Sequence, residues 1–276
     1  MNIRKIIIGS LALAGLVIGF VSSAFSAPIT LEARLTDDGS PIGKGLIWRV
    51  FPAVAQADAA PEPIATHKGG SAEFDLRSGT YIIHAAFGRS SAIKKITVGA
   101  DPVSETFVLD AGGVSLTAVA GKNKIPTGDL LFSIYDVEQD EDGVRKLIAK
   151  DIRANRVVRL NSGTYHVVST YGNINATVRA DIEVNAGQIT KAELQHRGAK
   201  VTLKLVSKAG GDPIASTSWT VLTSEGAKVF ESTSVAPSLI LSEGQYEASV
   251  RHAGETLVEN FTVKSGQNDM VEVLIK

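Results

Sequence analysis

Apolar and polar residues alternate along this chain in short runs, as in Leu31-Glu32-Ala33-Arg34-Leu35, Val114-Ser115-Leu116-Thr117-Ala118-Val119 and Val201-Thr202-Leu203-Lys204-Leu205-Val206. A period of two puts every second side chain on one face, so each run predicts a β-strand with one buried face. Further strands are expected at 45–51, 71–76, 80–87, 92–98 and 106–109, then at 130–135, 147–152, 157–160, 164–171, 177–184 and 189–194. The last third continues with 219–221, 229–231, 238–241, 246–250, 261–263 and a terminal strand from Val271. Turn residues punctuate the runs every 8 to 12 residues or so, and no helical period intervenes, which predicts an all-β chain of sandwich domains. The Ala/Pro-rich stretch 52–63 carries too many strand breakers for a ladder and predicts a mobile hairpin loop.

One phrase occurs three times: Leu76-Arg77-Ser78-Gly79-Thr80-Tyr81, Leu160-Asn161-Ser162-Gly163-Thr164-Tyr165 and Leu241-Ser242-Glu243-Gly244-Gln245-Tyr246. Its glycines are spaced by 84 and then 81 residues, the length of a small β domain. The phrase therefore counts three tandem seven-stranded Ig-like or prealbumin-like sandwiches, over 28–111, 113–197 and 199–276. An aromatic residue recurs in the second strand of each, as Trp48, Phe132 and Trp219. Gly112-Gly113 and Arg197-Gly198 read as the linkers. Linkers so short predict a stiff rod, roughly 80 to 110 Å long if each sandwich contributes seven to ten residues of strand at about 3.3 Å.

The Leu-x-Ser-Gly-Thr-Tyr corner and a closing turn, Val184 to Gln188 and Val263 to Gln267, resemble those of carboxypeptidase-regulatory-like and Cna-B-like repeats, whose topology is prealbumin-like. The chain as a whole is similar to exported bacterial proteins. The resemblance implies spacers, stalks or binding modules. The Lys–Asn isopeptide crosslink of some Cna-B domains is not implied, because no first-strand Lys recurs with a last-strand Asn.

The N-terminus changes the picture most. Arg4 and Lys5 precede an uncharged apolar run from Ile6 to Val21, followed by the small residues Ser22-Ser23-Ala24-Phe25-Ser26-Ala27. This is the pattern of a secretory signal peptide over 1–26, with cleavage expected after Ser26 or Ala24. Sixteen apolar residues fall short of the roughly 20 that span a bilayer, so no membrane span is expected after cleavage. The product is expected in the periplasm or secreted. The chain has no cysteine, which excludes disulfides, a thiol nucleophile and thiolate metal ligands. Without residues 1–26 it carries 26 basic and 29 acidic side chains, a formal −3 against −1 for the whole, which disfavours nucleic acid as a partner.

Four sets of residues are candidates for function or structure. In the repeated corner, Gly79, Gly163 and Gly244 are expected at positive φ, with Tyr81, Tyr165 and Tyr246 anchoring the corner through their hydroxyls. In the loop Asp136-Val137-Glu138-Gln139-Asp140-Glu141-Asp142-Gly143, the side chains Glu138, Asp140 and Asp142 match positions 1, 3 and 5 of a calcium loop. Position 12 is Ala149 where a bidentate Glu belongs, so a solvated hairpin tip is the competing reading. Arg145, Lys146, Lys150, Arg153, Arg156 and Arg159 form either a patch for an anionic ligand or polysaccharide, or a solvated face balancing the acidic tip. His67, His84, His166, His196 and His252 share no metal-ligand spacing, and no catalytic motif is present.

Together these features predict a non-catalytic exported envelope protein without cofactor. It would act as a structural or protein-interaction module, with an unidentified envelope protein or polysaccharide as partner. The alternative is a carbohydrate- or ion-binding periplasmic module using the second repeat's hairpin.

Overall fold

The computed structural model describes residues 26–53 and 62–275. The proposed signal peptide, apart from Ser26, and most of the Ala/Pro-rich loop lie outside the described residues. Within them the chain is all-β and folds around three apolar cores.

The first core lies between two sheets. Strand β1 (Ser26–Arg34) pairs antiparallel with β4 (Ala72–Arg77) and parallel with β7 (Val103–Val108). The facing sheet runs β3 (Ala65–Gly69), β2 (Leu46–Pro52), β5 (Gly79–Phe87), β6 (Ser90–Val98). Alternation does the work anticipated from the sequence: Ala27, Ile29, Leu31 and Ala33 of β1 are buried against Leu46, Trp48 and Val50 of β2. Trp48 meets Phe107 edge to face, with ring centroids 5.2 Å apart, so the largest side chain of one sheet fills the other sheet's centre.

The arrangement repeats twice. In the second sandwich β8 (Ala111–Ala120) lies between β12 (Val157–Asn161) and β15 (Ile189–His196), with the short β9 (Asn123–Lys124) beside it. Its facing sheet is β11 (Arg145–Arg153), β10 (Leu130–Gln139), β13 (Gly163–Tyr171), β14 (Ala176–Val184). In the third, β16 (Gly198–Val206) lies between β19 (Ser238–Ser242) and β22 (Asp269–Leu274). Its partner sheet is β18 (Lys228–Ser232), β17 (Ser218–Thr223), β20 (Gly244–His252), β21 (Glu255–Val263).

The structure corrects three local expectations. Strand β3 was not legible, because Thr66-His67-Lys68 on an edge shows no buried alternation. Gly112, Gly113 and Gly198 are not linkers: they lie inside β8 and β16. A Cβ on Gly112 would sit 2.1 Å from the Asn185 carbonyl oxygen, and one on Gly198 2.6 Å from that of Leu241. These glycines are required for backbone approach, and the connections are instead Leu109-Asp110 and the single residue Arg197. Finally, Gly79 does not have positive φ, while Gly163 (139°) and Gly244 (157°) do. Each glycine opens a strand and pairs across it, with Val98, Val184 and Val263 respectively. The corner phrase and the valine that opens the closing turn are thus cross-strand partners.

Candidate functional site

The three corner tyrosines make the same bond: Tyr81, Tyr165 and Tyr246 each donate their hydroxyl to the carbonyl oxygen four residues earlier, at 2.8, 2.9 and 3.0 Å. The carbonyls belong to Arg77, Asn161 and Ser242, the second residue of the phrase. This fixes the outer face of the corner, where the variable residues of the second and third copies meet the preceding sandwich.

At the first junction Asn161 reaches back into the first sandwich. Its Oδ1 accepts the Ser91 amide at 3.2 Å, and its Nδ2 donates to the carbonyls of Ser91 (3.2 Å) and Leu109 (2.7 Å). Beside it, the Ser162 amide donates to the Asp110 carbonyl at 2.7 Å, and its hydroxyl to the Asp110 carboxylate at 2.5 Å. Asp110 turns the chain with a left-handed φ of 44°, a conformation that a short polar side chain tolerates. The Arg89 amide donates to the Arg159 carbonyl at 3.1 Å, and the Arg159 guanidinium lies 4.4 Å over the Phe87 ring.

The second junction uses the same two surfaces with the amide side chain moved across. Asn175, on the β13–β14 turn, accepts the Ser242 amide at 2.9 Å and donates to the Tyr246 hydroxyl at 2.9 Å. The Glu243 amide donates to the Arg197 carbonyl at 2.9 Å, and Arg197 Nε meets the Glu243 carboxylate at 2.9 Å. The closing turns also serve the junctions: a Cβ on Gly187 would lie 3.1 Å from Thr36 Cγ2, and Asn123 Nδ2 donates to the Gly266 carbonyl at 2.8 Å.

The first junction opens into a cleft of about 680 Å³. Gly88 and Arg89 form one wall, and Asp136, Lys146, Leu147 and the corner from Leu160 to Tyr165 form the other. Asp136 stands directly across the sheet from Tyr165. Burial, and next the Asp136 charge, push the Tyr165 hydroxyl above its ordinary pKa, so it stays protonated and keeps its bond to Asn161. In the other sandwiches the residue across from the corner tyrosine is Pro52 or Thr223, so the carboxylate is particular to this cleft.

The basic residues do not form one patch. Arg145 donates to the Val137 carbonyl, and Arg159 belongs to the junction. Lys146 lines the cleft, while Lys150, Arg153 and Arg156 are exposed farther along β11 and its exit. Arg89, which sequence reasoning missed, joins Lys146 from the first sandwich across a break of more than fifty residues. The acidic loop is built as a hairpin tip. The Asp140 carboxylate accepts the amides of Asp142 (3.1 Å) and Val144 (2.7 Å), and Gly143 turns at φ 76°. Among the described residues no three His, Asp or Glu side chains converge as metal ligands, and Glu138, Asp140 and Asp142 are not brought together as such.

The histidines are dispersed. Ser169 and His196 form a buried hydroxyl–imidazole pair at 2.8 Å, and burial lowers the His196 pKa. The carboxylate Asp181 belongs instead to His166, at 2.6 Å. Nucleophile, base and acid are therefore not assembled at either place.

A family model described as the Rhizobiales growth-associated tandem repeat domain matches residues 200–275, within the third sandwich. It is a different model from the carboxypeptidase-regulatory-like repeats that the turn motifs resemble. No curated protein matches the chain. Among solved structures, the TIE protein of Bacillus anthracis is 18% identical with a TM-score of 0.28, covering 91% of this chain and 50% of that one. This chain thus spans half the length of that protein. The minor pilin of Streptococcus agalactiae is 14% identical with a TM-score of 0.34, over 62% of this chain and 95% of its own. The shaft pilin SpaA of Lactobacillus rhamnosus GG is 13% identical with a TM-score of 0.30, over 62% and 97%.

Proposed function

We propose that this protein is a non-catalytic, exported tandem β-sandwich of the cell envelope that works as a stiff spacer and interaction module. The observation that carries this reading is the pair of hydrogen-bonded junctions. At each, one or two connecting residues are held by backbone bonds, and a side-chain amide of the second sandwich bonds its neighbour: Asn161 the Ser91 and Leu109 backbone, Asn175 the Ser242 amide and the Tyr246 hydroxyl. A connection that short, with its polar groups satisfied between the domains, leaves little freedom for a hinge. Spacing surfaces at fixed distance is the activity such a geometry supports.

Export rests on the pattern of residues 1–26, and β1 agrees with it: Ala27 is fully buried, so cleavage after Ala24 or Ser26 leaves the first core whole. Among the described residues no helix is long and apolar enough to cross a membrane.

The absence of native cysteine makes the stiffness measurable. Spin labels at Lys95→Cys in the first sandwich and Glu259→Cys in the third, both exposed, should give one narrow distance distribution by pulsed electron resonance. A broad distribution would discard the spacer reading. Fractionation of the native cell should place the mature chain outside the cytoplasm; retention of residues 1–26 on a cytoplasmic product would discard the envelope assignment.

A further inference from the structure

We infer that the cleft at the first junction binds a carboxylated oligosaccharide, with Arg89 and Lys146 receiving a uronate carboxylate and Asp136 receiving sugar hydroxyls. This goes beyond a spacer role, which needs no ligand.

Three observations converge on it. First, the cleft is open and of about 680 Å³, a size that takes a short oligosaccharide rather than a lone ion. Second, its two cations come from different sandwiches and neither meets a carboxylate: Arg89 and Lys146 are exposed and outside every ion pair among the described residues. The Arg89 backbone is nevertheless pinned by its bond to the Arg159 carbonyl, so its guanidinium is presented from a fixed point. Third, the remaining lining suits a sugar. One Asp136 oxygen accepts only the Glu138 amide, at 3.3 Å, the Thr164 hydroxyl is exposed, and Leu147 offers an apolar surface, 46% exposed, to a ring face.

The ligand's charge follows from the same set. Two cations beside one carboxylate leave a net single positive charge in the cleft. A monoanionic carboxylate neutralises that charge, whereas a phosphate dianion would leave the filled cleft with a net negative charge. A neutral sugar would leave Arg89 and Lys146 without counter-charge. An acidic peptide offers carboxylates but lacks the vicinal hydroxyls that an aspartate accepts.

The test is isothermal titration of the purified mature chain with short oligogalacturonates, with uncharged cello-oligosaccharides, oligoglutamate and a phosphorylated oligosaccharide as the other arms. Saturable binding of oligogalacturonate alone is expected, weakening as salt rises. Amide resonances of Arg89, Lys146, Leu147 and Thr164 should shift on titration. Arg89→Gln and Lys146→Gln, exposed changes that leave core and junction bonds intact, should each weaken binding about tenfold. Asp136→Asn should weaken the sugar without creating affinity for oligoglutamate. The proposal fails if oligogalacturonate does not bind, if oligoglutamate or the phosphorylated sugar binds as well, or if the Arg89 and Lys146 variants bind undiminished. None of these outcomes alters the distance distribution that tests the spacer role.

Discussion

The Asn161 side chain meets the backbone of Ser91, seventy residues earlier, as a neighbouring strand would: its Oδ1 takes the Ser91 N–H and its Nδ2 gives to the Ser91 carbonyl, both at 3.2 Å. A primary amide carries the same donor and acceptor as a peptide group, so it extends pairing where the first sandwich's sheet ends. Asn175 plays the mirrored part at the second junction. The first junction is thus closed by a pseudo-strand contact, while at the second Ile240 and Ile174 also pack against the core of the neighbouring sandwich.

Asn161→Ala should leave the Ser91 and Leu109 backbone groups with water or without partners. A loss of about 1–3 kcal/mol is expected in chemical denaturation, together with a broader distance distribution between the first and third sandwiches. An unchanged width in Asn161→Ala and Asn175→Ala alike would show that the short connections alone hold the domains.

Gly112→Ala separates a linker from a packed strand. A flexible linker would tolerate it, or even gain from lower chain entropy. Here the new Cβ meets the Asn185 oxygen at 2.1 Å and the Gln188 oxygen at 2.8 Å, both backbone atoms of the closing turn. The melting temperature should fall by several degrees, whereas Gly128→Ala, with open space around its Cβ, should leave it nearly unchanged.

Trp48 and Trp219 hold equivalent positions but differ in one bond. Trp48 Nε1 donates to the Gly70 carbonyl at 2.8 Å, while Trp219 Nε1 is buried without an acceptor among the described residues. Phe132 at the same place in the second sandwich shows that a phenyl ring is accommodated. Trp48→Phe should therefore cost about 1–2 kcal/mol more than Trp219→Phe, the packing loss being common to both. Equal losses by calorimetry would mean that the Gly70 bond contributes nothing.

His196 gives the second sandwich a dependence on acid. Burial keeps its imidazole neutral against the Ser169 hydroxyl and the Tyr171 ring. Its folded pKa lies below the unfolded value, so both states are neutral at high pH and no stability is lost there. Below about pH 6.5 the unfolded chain takes up a proton that the folded chain refuses, and stability falls by up to about 1.4 kcal/mol per pH unit. His84, lowered by burial and by Arg49, contributes in the same direction. Urea denaturation between pH 8 and 5 should show a shallower decline in His196→Asn than in the parent chain; parallel declines would rule out His196 as a contributor.

The sequence by itself determined the class of fold and its count. Alternation with a period of two and a corner phrase repeated at domain spacing are local signals, because side-chain direction in a strand follows from position along the chain and a turn is written in consecutive residues. They sufficed for the all-β assignment and for the aromatic residue, Trp48, Phe132 or Trp219, that recurs once in each sandwich. They failed at β3, whose edge residues bury nothing regularly, and at Gly112, whose crowding comes from a turn seventy residues later.

Only the tertiary structure decided what the variable residues of the phrase do. Arg77 and Ser78 occupy the corner of a sandwich with none before it among the described residues, whereas Asn161 and Ser162, then Ser242 and Glu243, bind the sandwich that precedes them. The cleft arises in the same way. Arg89 and Lys146 carry no mutual signal in sequence, since they belong to different sandwiches that meet where the short connection at Asp110 and the Asn161 bonds set one against the next.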